Sequence, residues 1–301
     1  AAIAAIDDKS LAELGAWPWP RQVSAELIDR LTAAGAKTIA FDVMFAEPRS
    51  AAGDRALVEA TRRSGRVIHA YAPTDAGLAD PIPGLAEASA GLATVQMGHG
   101  PFASRCLAPF VPERGGTPFL GAAAAARHLG LAPAELRARL KPEICLNFRG
   151  ERPYPVFSAG DLLKDRLPDE QKLRLRDATV FVGFVSDSIA YDQWASPFDV
   201  KAPGVEVHAA VFDNLVAGDS LGKTGKFGSF LIVYLAALAA ALPFLISRNA
   251  GIAGGGAAVA AAFAAAPLGL RLIVAPYGAI AAAAAASYLA CLVASASRRR
   301  P

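Results

Sequence analysis

The sequence predicts an α/β domain with a largely parallel sheet flanked by helices, followed by an all-α membrane block of three helices. Three observations lead there. The apolar runs Ala2–Ile6, Lys37–Val43 and Ala178–Val185 are short and nearly continuous, as strands covered on both faces are. Helix-patterned segments separate them, which is the strand–helix–strand grammar of a parallel sheet. From Phe227 to Ala296 the chain is Ala, Gly, aliphatic and aromatic in character and carries charge only at Arg248 and Arg271.

In order, the strand Ala2–Ile6 is followed by Asp7-Asp8-Lys9. Ser10-Leu11-Ala12-Glu13 then fits a capping box that starts a short helix ending at Gly15. The prolines of Ala16-Trp17-Pro18-Trp19-Pro20 stiffen the backbone and forbid helix, and Pro20 suits the first position of the next helix. That helix, Arg21 to Ala34, turns Leu27, Ile28 and Leu31 inward and stops at Gly35. After the strand Lys37–Val43 come a helix near Gly53 to Arg63 and a strand Arg66 to Ala70. Residues 73–116 are rich in Pro and Gly, with one strand near Leu92 to Met97. A helix from Thr117-Pro118 to Leu129, a short helix Ala134–Leu140, a strand Ile144–Phe148 and a helix from Ser158 to Lys164 follow. The strand Ala178–Val185 exits into 186–197, and the last helix, Val205 to Ala217, places Val205, His208, Phe212 and Leu215 on one face.

A membrane helix needs about 20 apolar residues, so the apolar block has room for spans at about 227–246, 251–267 and 272–296. Three spans put residues 1–226 outside the cytoplasm, opposite the Arg298-Arg299-Arg300 cluster that marks the cytoplasmic side. Two spans would put them inside, which Lys223 and Lys226 mildly favour. The chain opens without Met or a signal peptide and ends in Arg-Pro after the third span. Both ends therefore read as cuts, with an anchor expected upstream and an output domain downstream.

The 301 residues are 53% hydrophobic with mean hydropathy +0.33 and net charge +3, and no basic run occurs outside the terminal cluster, which speaks against nucleic-acid binding. Cys106 and Cys145 are free to pair outside the cytoplasm. The spacing of these and Cys291 suggests neither a disulfide framework nor a metal site. There is no phosphate loop, glycine triad, metalloprotease helix or nucleophile elbow, and His69, His99, His128 and His208 show no ligand spacing. Neither a catalytic centre nor a cofactor is expected.

One constellation is suggestive. Asp7 and Asp8, Asp42 and Glu47, and Asp187 and Asp192 follow or end expected strands, and ligands of open parallel sheets bind outside the carboxyl ends. Such a rim suits a cationic or polyhydroxyl ligand; equally, acids cap helices and solvate loops. Asp42, late in a buried strand, needs a partner, and Arg21 is a natural one. Trp17 and Trp19 suit stacking on a ligand ring or plain core packing, and His208 suits a buried, hydrogen-bonded role or proton sensing.

Several segments together resemble the type-two CHASE family of bacterial extracellular sensor domains. They are AIDDKSLAELGAWPWPR (Ala5 to Arg21), IAFDVMFAEP (Ile39 to Pro48), LNFRG, FSAGDLL, ATVFVGF, and APGVEVHAAVFDNL (Ala202 to Leu215). The chain departs from the family's pattern at Gly98 to Ser104 and at Phe184-Val185-Ser186-Asp187. The resemblance implies an extracytoplasmic sensor acting as a homodimer on an unidentified ligand, with one helix upstream and three spans downstream. The cytoplasmic output it implies is an adenylate or guanylate cyclase, a histidine kinase or a Ser/Thr kinase. His208, Phe212 and Leu215 would then carry the signal along the last helix toward the lipid bilayer. The competing expectation is a membrane-anchored binding or scaffold protein without output.

Overall fold

Alternation along three buried strands sorts the molecule into layers. In a computed structural model, which describes residues 1–95, 106–186, 193–194, 196–199, 201–223 and 272–273, one compact unit comprises Ala1–Ser220. Its elements are β1 (Ala2–Ile6), α1 (Asp8–Leu14), α2 (Arg21–Ala33), β2 (Thr38–Met44), α3 (Ala51–Ser64), β3 (Val67–Thr74), β4 (Gly77–Ala79), α4 (Leu85–Ala88) and β5 (Gly91–Thr94). The two-residue strands β6 (Cys106–Leu107), β7 (Phe110–Val111) and β8 (Thr117–Pro118) precede α5 (Leu120–His128), α6 (Pro133–Arg139) and β9 (Ile144–Cys145). Then come β10 (Val156–Ser158), α7 (Ala159–Leu163), α8 (Asp169–Leu173), β11 (Thr179–Phe184), β12 (Gln193–Trp194), β13 (Ala202–Pro203) and α9 (Gly204–Ala217).

The main sheet runs β10-β1-β11-β2-β3, with β5 parallel and β4 antiparallel to β3, and every pairing along β10-β1-β11-β2-β3 is parallel. β11 lies between β1 and β2, opposite Ala2–Ile6 on one side and Thr38–Phe41 on the other. The chain therefore returns late to fill the sheet's centre, and a crevice is expected outside the carboxyl ends there.

Ala2, Ala4, Ile39, Phe41, Val180 and Val182 pack against α2, α3 and α7, through Leu27, Ile28, Leu57 and Leu162 among others. Ile3, Ala5, Ala40 and Phe181 pack on the opposite side against α5 and α9. Period-two side chains require this split. The Ala run of α5 lets α9 lie close, and Gly121 is where the approach is tightest: a Cβ there would stand 2.2 Å from the His208 carbonyl oxygen. α9 is buried around most of its circumference rather than on the single face expected from its spacing.

Two local expectations are corrected. Asp7, not Ser10, caps α1: its carboxylate accepts from the Ser10 backbone N–H at 2.8 Å, so the helix begins at Asp8. Glu13 accordingly does not reach back but pairs with Lys164 at 2.8 Å and with Arg166. Pro20 is the cap of α2 and Arg21 its first residue, because the missing N–H costs nothing at that point.

Cys106 and Cys145, whose pairing the sequence leaves open, form a disulfide on the paired strands β6 and β9.

A second unit, Leu221–Pro301, is described only in part. Gly222–Lys223 and Leu272–Ile273 pair as two short parallel strands, so Leu272, expected to open a span, lies in extended backbone. Among the described residues no helix is long and apolar enough to cross a membrane. The remainder of the three expected spans lies outside the described residues.

Candidate functional site

The crevice the topology calls for is present. A cleft of about 220 Å³ opens beyond the carboxyl ends of β1 and β11, lined by Asp7, Asp8, Lys9, Arg152, Ser186 and Lys201 among others. Asp7 is held by local structure: besides capping α1 it accepts from the hydroxyls of Ser10 and Ser158, the latter at 2.9 Å. The Ser10 hydroxyl is fully buried and also accepts from the Gly160 N–H at 2.9 Å, tying α1 to α7. Asp8 accepts from Ser186 at 2.5 Å, and Lys9 reaches Asp161 at 2.7 Å. Of the basic groups lining the cleft, Arg152 and Lys201 form no ion pair within the described residues.

The other expected site residues go elsewhere. Trp19 is buried and donates its indole N–H to the Gly15 carbonyl at 2.8 Å. Trp17 packs edge-on against Trp19 at 5.2 Å and Phe184 at 5.1 Å. The pair therefore packs on the α2 side of the core, and it meets the cleft only through Phe184, which lines it.

Arg21 does not meet Asp42. Its guanidinium lies over the Phe45 ring at 4.5 Å, 3.7 Å from Asp54, and donates to the Glu47 backbone carbonyl at 3.1 Å. The Glu47 side chain faces solvent. Strand alternation explains the correction: Phe41 points toward α2 and Asp42 away from it, to the α9 side. There Asp42 Oδ1 stands 3.7 Å from His208 Nε2, with both side chains buried. Asp187 and Asp192 lie outside the described residues.

His208 is solvent-free, and burial drives its imidazole down to about 4, against a weak upward pull from the Val95 backbone. It is neutral at physiological pH. Neither ring nitrogen meets a partner at full hydrogen-bond geometry among the described residues; the Val95 backbone is the hydrogen-bonding group that bears on the ring, and Phe119 packs beside it at 6.0 Å. Phe212 packs on Phe181 at 5.9 Å and His128 at 5.4 Å. Along with Leu215, these residues seat α9 on the sheet and α5.

Lys9, Arg152, Ser186, Lys201 and Glu206 also belong near the cleft, though no sequence motif marks them as site residues. Only Glu206 carried a signal. It is the third residue of a helix whose cap, Pro203, has no N–H for a glutamate to reach back to. Among the described residues, no group of His, Cys, Asp and Glu is arranged to hold a metal ion.

A family model for the CHASE2 domain matches residues 1–245. The chain belongs to the CHASE2 family. CHASE2 domains are extracellular sensor-type domains, and membership points to a membrane-associated protein. No curated protein and no solved structure matches the chain.

Proposed function

We propose that this CHASE2 chain is the input module of a bacterial transmembrane signalling receptor. A stimulus outside the cytoplasm shifts the α/β domain between two arrangements. α9 passes that shift toward residues 227–246 and across the bilayer to a cyclase, histidine kinase or Ser/Thr kinase domain. The observation that carries this reading is the course of α9. Pro203, its cap, lines the cleft, its body is buried between sheet and α5, and it ends at Ala217, shortly before the first unit closes at Ser220. A ligand moves such a helix only through unequal affinity for its two positions. The Cys106–Cys145 disulfide supports the compartment, since such bonds persist where the medium is oxidising.

Two experiments test it. Ala16 is exposed beside Trp17, and in intact cells Ala16→Cys should react with a membrane-impermeant maleimide; protection from it overturns the extracytoplasmic placement. A flexible Gly/Ser insertion after Gly222 in the gene as the cell carries it should uncouple stimulus from output. Unchanged signalling would leave an anchored binding protein as the better account.

A further inference from the structure

Glu206 poses a problem the sensor reading does not solve. It is 8% exposed, and its Oε1 has no hydrogen-bond partner among the described residues. A buried carboxylate oxygen without a donor is costly, and the usual remedy for a glutamate at this helix position is closed by Pro203. Glu206 lines a small cavity of about 20 Å³, bordered also by Arg152, Tyr154, Ser196 and Asp199. Burial raises its protonation range; the charge of Arg152 is the next influence and opposes it, ahead of the smaller upward pulls of Asp199 and Glu151. Arg152 borders this cavity and the larger cleft alike, yet it makes no ion pair with Glu206. An acid and a base thus share the wall of a cavity without meeting.

A group that fits between them donates hydrogen bonds to the carboxylate and accepts them from the guanidinium. We infer that the cavity and cleft form one binding site for a free amino acid, with its ammonium at Glu206, its carboxylate at Arg152 and its side chain in the 220 Å³ cleft. An ammonium is about the size of the water such a cavity holds, and it is a hydrogen-bond donor of the kind a carboxylate takes. Lys201 lines the same cleft and adds a second cation there. This rests on the sensor reading and names the class of its ligand.

The test is thermal unfolding and calorimetric titration of the purified full chain with each common amino acid, its N-acetyl derivative and its amide. At least one free amino acid should raise the unfolding temperature, with its N-acetyl form inert and its amide weakened. Removing one partner of a buried charge pair costs enough to weaken binding about thirtyfold or more, which is the effect expected for Glu206→Gln. Without ligand that variant should unfold at or above the wild-type temperature, having lost a buried unpaired charge. Arg152→Gln, at an exposed residue, gives a second variant whose folding is not in question, and it too should weaken binding. The inference is overturned if no free amino acid binds and water alone fills the cavity. It is equally overturned if the N-acetyl form binds as well as the free one, or if neither variant weakens binding. Such a failure, with Ala16→Cys still labelled from outside, would remove the ligand class and leave the sensor reading intact.

Discussion

His208 Nε2 and Asp42 Oδ1 face each other at 3.7 Å, sealed from water between α9 and the sheet. At that separation and with a neutral ring the contact is neither an ion pair nor a hydrogen bond. The cost of burying the ring appears on acidification.

His208 is held at about 4 by burial, and His69 at about 3 by burial and then by the charge of Arg21. His69 sits in the opposite layer, stacked on Phe41 at 5.3 Å with Nε2 3.0 Å from the Thr61 hydroxyl. Both folded values lie below the ordinary 6.5, so the unfolded chain binds more protons between them. The stability is complete above pH 6.5 and is lost as pH falls toward 4. Each ring contributes a slope of at most about 1.4 kcal/mol per pH unit. Urea midpoints measured from pH 7 down to 5 should fall steadily, and His208→Gln should reduce the slope; a flat profile contradicts the buried neutral rings. Glu13 acts in a lower window. Hydrogen bonds from Lys164 and then Arg166 hold it at about 2, so its contribution is present above 4.5 and fades only below it.

Ser10 predicts a different loss. Its hydroxyl donates to Asp7 and accepts from the buried Gly160 N–H at 2.9 Å. Ser10→Ala strands that N–H, which should cost about 1–3 kcal/mol. Chemical denaturation would show a lower midpoint at unchanged slope, and an unaltered midpoint would mean that α1 and α7 are not joined through this hydroxyl.

How much of this was legible followed from burial. The sequence marks β1 at its observed bounds, and β2 and β11 within a residue at each end, because a strand covered on both faces leaves an unbroken apolar run. α2 likewise announced itself through Leu27, Ile28 and Leu31. β10 did not: Val156–Ser158 is three residues long, has one neighbour, and leaves Val156 exposed, so no period marks it. The acidic rim was half legible. Asp7 and Asp8 follow β1 directly and stand at the cleft, but the partner of Asp42 depended on which layer α9 occupies. Alternation from Phe41 to Asp42 already excluded Arg21, given that α2 covers the Phe41 face. The disulfide was hidden because a separation of 39 residues says nothing until β6 and β9 pair.

Gly121 predicts how tightly α9 is seated. A Cβ at this position meets the His208 carbonyl oxygen at 2.2 Å and Val211 Cβ at 2.8 Å. Backbone cannot yield as a flexible side chain can, so Gly121→Ala must push α5 and α9 apart and open the core they share. Overpacking of this kind costs about 1–3 kcal/mol or somewhat more. A variant as stable as the wild type would mean that the two helices are free to separate without loss. That would bear directly on how far α9 can move.

The Cys106–Cys145 bond makes a prediction about place as well as stability. It closes a separation of 39 residues, and removing such a cross-link frees the unfolded chain by about 2–4 kcal/mol. Cys106→Ser with Cys145→Ser should therefore lower the unfolding temperature, as should a reductant on the wild-type chain but not on the double variant. In intact cells the two thiols should resist rapid alkylation until a reductant is added, because a chain outside the cytoplasm meets no glutathione pool. Thiols that alkylate at once, with the chain folded, would place residues 1–220 in a reducing compartment, and the outward-facing sensor would lose its footing.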